Sequence, residues 1–183
     1  MIYLVLGAIA FFVFNSKDVI TETAGELLDF NKYDALFKKY GTLNSVPWQY
    51  LKAICMNESS LGNAKSVAHG LEYPSDIEAS KSTDGKSWGL MQITIPTGKD
   101  LDPLCSPEKL NNAEYSIKLA AKLVSQLQKK FNSSDKRWLE WVIKSYNQGA
   151  GNTNKEKSGL ISGYADEYWK RFQRNLERVN SDV

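Results

Sequence analysis

The hydrophobic and polar positions divide the chain into two unequal parts. Residues 1–14, MIYLVLGAIAFFVF, carry no charge and almost no polarity, and the run stops at Asn15-Ser16-Lys17-Asp18. A full membrane span wants about 20 apolar residues, and a secretory leader wants a basic start; this segment has neither. Its early position, ahead of a polar connector, predicts an uncleaved hydrophobic anchor helix with its connector over residues 1–20, against the alternatives of a buried helix and a cleaved leader. Residues 21–40 predict one or two short helices with Leu27, Leu28, Phe30, Leu36 and Phe37 as apolar contacts, and residues 41–45 break the pattern. Pro47 suits a helical first turn, where its missing N–H is harmless. That helix runs through Trp48, Leu51, Ile54 and Cys55 towards Glu58. Residues 62–87 are polar and hold Gly70, Pro74 and Gly85, so they predict a loop or a small β excursion. Residues 88–95 are apolar and compact, and Pro96 opens a short helix ending near Leu101.

The strongest periodicity lies further on. Ala113, Ile117, Ala120, Val124, Leu127 and Phe131 follow one another at steps of 4, 3, 4, 3 and 4, which is one face of an α-helix. Ser133, Ser134 and Asp135 offer caps for the next helix, on which Trp138, Trp141, Val142 and Ser145 share a face, with Gly149 as its stop. A final helix is predicted from about Tyr164 to Val179. The pattern is that of a mainly α domain over residues 21–183, with a small β excursion, behind the anchor.

Composition narrows the chemistry. A chain of 183 residues, 42% hydrophobic and 24% charged, reads as one globular domain. Its 23 basic and 21 acidic residues give a net charge of +2, without the clustered basic excess that nucleic acid wants. Lys129-Lys130 and Lys136-Arg137 flank one interhelical turn, either as a solvated surface or as a contact for an anionic polymer. With one histidine, His69, and two cysteines, Cys55 and Cys105, no four-ligand Cys/His zinc site can be assembled. A Ser-His-Asp or Cys-His site would rest on His69 alone. No metal or organic cofactor is implied, and chemistry near neutral pH falls to carboxylates.

Glu58 is the carboxylate that stands out. The steps from Leu51 to Ile54 to Glu58 place it on the apolar face of its helix. There it loses hydration, its pKa rises, and it stays protonated near neutral pH. A protonated carboxyl is what glycosidic cleavage needs to protonate a leaving oxygen. The alternative is a frayed helix end, with Glu58 in water or paired with a lysine.

The order of short motifs bears on that choice. Glu58-Ser59 is followed by Gly89-Leu90-Met91-Gln92 and then by Tyr146-Asn147. Over roughly residues 48–172 this set resembles the lytic transglycosylase domain of glycoside hydrolase family 23, which includes goose-type lysozymes. The resemblance implies a lysozyme-like α+β fold. It implies peptidoglycan as substrate, with cleavage of the β-1,4 bond between N-acetylmuramic acid and N-acetylglucosamine. Glu58 would be acid and then base, with Ser59 the helix-end hydroxyl beside it. Gly89, Met91 and Gln92 would line the glycan cleft, where glycines let sugar approach the backbone; for Met91, core packing is an equal reading. Tyr146 would point its hydroxyl at the catalytic region, and Asn147 would organise the helix end. A further family tyrosine corresponds to Tyr168, beside Phe172, with Tyr164 as the competing assignment.

With a lone acid, the resemblance implies help from the substrate's own acetamido group and a 1,6-anhydro product. The loop after Glu58 carries Asp76, Glu78 and Asp84, any of which would turn the outcome towards hydrolysis by activating water. Ser82, Thr83 and Ser87 compete for the hydroxyl ahead of the Gly-Leu-Met-Gln element. A non-catalytic wall-binding protein is the remaining alternative, although such a module has no use for a partly buried acid. Cys55 and Cys105 are either a disulfide or two small buried side chains. The expected partners are peptidoglycan strands and, through residues 1–20, a membrane, with the domain facing the peptidoglycan, in a bacterial cell envelope or as a membrane-associated phage protein.

Overall fold

The computed structural model describes residues 30–62, 82 and 85–181. It divides into a first unit, residues 1–33, and a compact second unit, Asp34–Val183. The predicted anchor over residues 1–20 lies outside the described residues. Among the described residues no helix is long and apolar enough to cross a membrane.

In the second unit the described residues form seven α-helices and one short hairpin. The helices are α1 (Asp34–Asn44), α2 (Trp48–Ser59), α3 (Ile95–Leu101), α4 (Pro107–Leu110), α5 (Ala113–Lys130), α6 (Trp138–Lys157) and α7 (Asp166–Ser181). The hairpin pairs β1 (Ser87–Trp88) with β2 (Ile93–Thr94) antiparallel, Ser87 opposite Thr94 and Trp88 opposite Ile93. The mainly α class with a small β element is what the pattern predicts, but the hairpin lies at residues 87–94, whereas the pattern places the β excursion within residues 62–87, most of which lie outside the described residues.

Helix α2 is the hub. Leu51, Ala53, Ile54 and Cys55 on it are wholly buried, and it packs on α1 and, most extensively, on α7. The predicted face of α5 is buried from Ala113 to Leu127, with Asn112 as N-cap accepting from the Tyr115 N–H at 3.0 Å. Thr94 caps α3 and Pro96 sits in its first turn, so that helix follows from local chemistry.

Four local expectations are corrected. Helix α1 does not stop at Gly41 but runs on to Asn44. Gly41 serves a close approach instead, since a Cβ there would lie 2.7 Å from the Val46 carbonyl oxygen. Pro47 is the residue before α2 rather than part of its first turn. The position before α6 is Arg137, not the serine pair; Asp135 instead accepts from the Arg137 N–H at 2.9 Å and shapes the turn. Gly149 does not end α6. It kinks it, at φ 78° and ψ 147°, and helix resumes to Lys157.

Cys55 and Cys105 are both free and buried, so the disulfide reading is set aside. Cys105 packs against the Gly98 backbone, where a Cβ would lie within 2.3 Å of its sulfur (Sγ).

Candidate active site

The site begins at the end of α2. Ser60 closes the helix in the left-handed region, at φ 51°, with its N–H donating to the Met56 carbonyl, and Leu61 follows at φ 57°. Across the cleft, Gln92 sits at φ 48°. None of these is glycine, and each such residue stores roughly 1–2 kcal/mol of backbone strain. The strain is held where the chain must stop and present Glu58.

Glu58 lies half-buried, its free edge facing a cavity of about 110 Å³. Ser87, Gln92, Thr94, Thr97, Tyr146 and Asn147 are among its lining residues. The Tyr168 hydroxyl, from α7, donates to Glu58 Oε1 at 2.6 Å. Loss of hydration lifts the Glu58 carboxyl from 4.5 to about 7, against the opposing pull of the Tyr168 hydrogen bond and the Arg171 charge. At neutral pH the group is therefore divided between its protonated and ionised forms.

Tyr168 is placed through the backbone. Asn57, wholly buried beside Glu58, donates to the Tyr168 carbonyl at 3.0 Å and accepts from Asn175 at 2.7 Å. These bonds fix the register of α7 on α2. Burial and the nearby Glu58 raise the Tyr168 phenol well above its ordinary range, so it remains a donor. Tyr164, the competing assignment, is 78% exposed and makes no contact with Glu58 among the described contacts.

Tyr146, from α6, lines the cavity and donates its hydroxyl to the Met91 carbonyl at 2.8 Å. This ties the turn between β1 and β2 to α6. Gln92 donates back to the Gly89 carbonyl at 2.8 Å, while the Met91 N–H donates to the Ser116 hydroxyl at 3.1 Å. The Gly-Leu-Met-Gln element is thus held from three sides.

The expected site residues separate into two groups. Glu58, Gln92, Tyr146 and Asn147 line the cavity, and Tyr168 reaches Glu58 from behind. Ser59, Gly89 and Met91 do not line it. Ser59 is wholly buried and donates to the Cys55 carbonyl at 3.4 Å. Met91 is wholly buried, so of its two readings the core is the one realised. Gly89, at φ 72°, lets the turn press on α4: a Cβ would lie 1.9 Å from the Leu110 carbonyl oxygen.

Of the competing hydroxyls, Ser87 lines the cavity. Ser82 instead accepts from the Ser87 N–H at 3.0 Å, and Thr83 lies outside the described residues. Asp76, Glu78 and Asp84 lie outside them too, and among the described residues Glu58 is the one carboxylate lining the cavity. Sequence reasoning missed Thr94 and Thr97 as lining residues. Their signal was position, directly after the Gly-Leu-Met-Gln element and beside Pro96.

A small, mainly helical domain with a short hairpin, in which Glu58 is the one carboxylate at the cleft among the described residues, is consistent with a lysozyme-like fold. The family model described as Transglycosylase SLT domain matches residues 35–164. The chain belongs to that family and is a peptidoglycan lytic transglycosylase, cleaving glycosidic bonds. No curated protein matches it.

Proposed function

We propose that Glu58 carries out both proton transfers of a non-hydrolytic cleavage of the β-1,4 bond between N-acetylmuramic acid and N-acetylglucosamine. The protonated carboxyl gives its proton to the glycosidic oxygen as the bond from muramic C1 breaks. The acetamido oxygen of the same muramic residue closes on C1 and holds the developing positive charge. The Glu58 carboxylate then takes the proton from the 6-hydroxyl, whose oxygen displaces the acetamido group. The products are a 1,6-anhydro end and a free glucosamine 4-hydroxyl, and no water is consumed.

The observation that carries this reading is that Glu58 is the one carboxylate facing the cleft among the described residues, where loss of hydration lifts it to about 7. It can be found in either protonation state at neutral pH. Tyr168 supplies a donor that strengthens as charge develops on Glu58. Gln92, Asn147 and the cleft-facing Ser87, Thr94 and Thr97 offer neutral hydrogen-bonding groups to sugar hydroxyl and acetamido groups.

The test is digestion of purified peptidoglycan with product analysis by mass spectrometry, the Glu58→Gln chain alongside. The expected products are anhydromuramic ends, falling by about 10³-fold or more in the variant. Ends heavier by one water would make the enzyme a hydrolase and direct attention to Asp76, Glu78 and Asp84. Wall binding without cleavage by the parent chain would make it a binding protein.

We also propose that residues 1–20 hold the domain at a membrane, facing the peptidoglycan. The uncharged run over residues 1–14 supports this. Deleting residues 1–20 is expected to move the chain from the membrane fraction to the soluble one; an unchanged distribution would end the idea.

A further inference from the structure

Two asparagines sit in the packing of α7 on α2, and neither belongs to the motifs that carry the family resemblance. Asn57 is 1% exposed, one residue before Glu58, and Asn175 is half-buried on α7. The rest of this packing is largely apolar. Leu51 and Ile54 on α2 and Phe172 and Val179 on α7 are buried, and the Tyr50 ring meets Phe172 edge-on at 6.0 Å. A carboxamide in such a place loses hydration that an apolar side chain never had. Stability alone would favour the apolar side chain.

Both ends of the Asn57 carboxamide are matched. Its Nδ2 donates to the Tyr168 carbonyl at 3.0 Å, and its Oδ1 accepts from Asn175 Nδ2 at 2.7 Å. Tyr168 and Asn175 are close to two helical turns apart, so they lie on one face of α7. Two points on that face are thereby pinned to one side chain of α2. Sliding α7 by a single residue would move it about 1.5 Å and turn it about 100°. The Tyr168 carbonyl would leave the Asn57 amide, and the Tyr168 hydroxyl would leave Glu58 Oε1, which it meets at 2.6 Å. Apolar contacts tolerate a slip of this kind far better than buried, mutually satisfied hydrogen bonds do.

We propose that Asn57 and Asn175 are positioning residues, a two-amide latch that holds the Tyr168 hydroxyl on the catalytic carboxyl. The latch closes a ring: from Glu58 to its chain neighbour Asn57, across to the Tyr168 backbone, out along the Tyr168 side chain and back to Glu58. A donor held in this way cannot drift from the place where charge develops on the acid. The proposal rests on the reading of Glu58 as the working acid. The other groups that act on Glu58 are Tyr146 on α6, Cys55 on its own helix and Arg171 on α7. Arg171 shares α7 with Tyr168 and would shift with it, so the test has to separate the hydroxyl from the cation.

The test uses the full chain. The side-chain carboxyl of Glu58 is titrated through its ¹³C chemical shift, peptidoglycan cleavage is followed across pH, and urea unfolding runs alongside. Asn57→Leu and Asn175→Leu are expected to lower kcat about fivefold, the worth of one hydrogen bond, with KM within about twofold of the parent. The Glu58 titration and the alkaline limb of the rate profile should move upward together, because the donor that favours the charged form has been displaced. Asn175→Gln, which keeps an amide donor, should recover most of the loss. Asn175 lies at the edge of the interface and gives a variant that folds even if Asn57→Leu does not. In a chain already carrying Tyr168→Phe, either leucine substitution should add nothing further, since the latch acts through that hydroxyl. An unmoved Glu58 titration in the folded leucine variants overturns the proposal. So does an equal, additive loss in the Tyr168→Phe background, which would mark a general loosening of α7 or an effect of Arg171. The titration decides the proposal whichever products form, whereas ends heavier by one water, or residual cleavage by the Glu58→Gln chain, count against the catalytic reading alone.

Discussion

Two carboxylate sites lie about α6 and α7, and the same kind of side chain behaves oppositely in them. Glu58 has a neutral donor, Tyr168, as its direct partner, and its pKa rises to about 7. Glu140 has Arg137 and Lys144 beside it, and those bonds hold its carboxyl below the ordinary range. Lys144 is wholly buried, and its ammonium also meets Glu156 and Asp166. The three carboxylates lie close enough together to suggest a cation site, but the lysine already supplies the cation. Burial raises the carboxyl in both places: at Glu58 it prevails over a neutral donor, and at Glu140 the cationic partners overcome it. The balance of burial against the partners' charge sets the protonation state, and it leaves a titrating carboxyl at Glu58 and ionised, helix-joining carboxylates at the Lys144 cluster.

The Lys144 cluster also positions the first site. Glu140 and Lys144 precede the Gly149 kink, Glu156 follows it, and Asp166 opens α7 two residues before Tyr168. Removing the cation in Lys144→Met leaves its carboxylates unpaired. The expected loss of unfolding free energy is about 3 kcal/mol, the lower end for a broken buried pair because Asp166 is half-exposed. Urea unfolding at pH 7 measures it; a loss below about 1 kcal/mol would mean that the cluster is ornament. The lowered Glu140 pKa means that this stabilisation is present above its unfolded value and fades as pH falls through the lower folded one. The variant should therefore lose less than the parent on acidification.

Glu58 predicts the reverse pH dependence. Its folded pKa is raised, so the folded state binds the proton more tightly than the unfolded state. Stability falls as pH climbs from 4.5 to about 7 and is then level. Glu58→Gln should raise unfolding free energy at pH 8 by about 2 kcal/mol, a figure reduced for the edge open to the cleft, and change nothing at pH 4. Equal effects at both pH values would mean that the carboxyl is not perturbed.

A smaller change sharpens the contrast from the donor side. The Tyr168 hydrogen bond favours the charged form of Glu58, so Tyr168→Phe should raise the Glu58 pKa further. The alkaline limb of the pH–rate profile then moves upward and the maximum rate falls about tenfold. A limb that moves down, or stays, contradicts the assigned hydrogen bond. Smallest of all, Ser60→Gly relieves a left-handed residue at the end of α2. It should stabilise the fold by about 1 kcal/mol in thermal or urea unfolding while leaving the pH profile in place.

The parts of this arrangement that obey local rules were legible in the sequence. The α5 face, the helix start at Pro96 and the position of Glu58 on the apolar face of its helix follow from periodicity and from proline's fit to a first turn. What escaped depends on contacts between distant segments. Gly149 looks like a stop, because a glycine after an apolar face usually is one; the pairs from Lys144 to Glu156 and Asp166 span the kink it makes. Gly89 and, as one of two equal readings, Met91 are expected in the cleft through the family resemblance of the Gly-Leu-Met-Gln element. In the fold the tight turn points only Gln92 outward and buries the other two against α4 and α5. The choice between Tyr164 and Tyr168 needed the register of α7 on α2, which Asn57 and Asn175 set.

The free thiol behind the cleft has a kinetic consequence. Cys55 is wholly buried, with its sulfur 3.8 Å from the Leu90 carbonyl oxygen, and burial pushes it to about 12. At neutral pH only about one molecule in 10⁵ carries the reactive thiolate. Oxidants and alkylating reagents should therefore find it inert while α2 stays packed. Each labelling event would count an excursion in which the hub helix has opened, making this cysteine a built-in clock for unfolding.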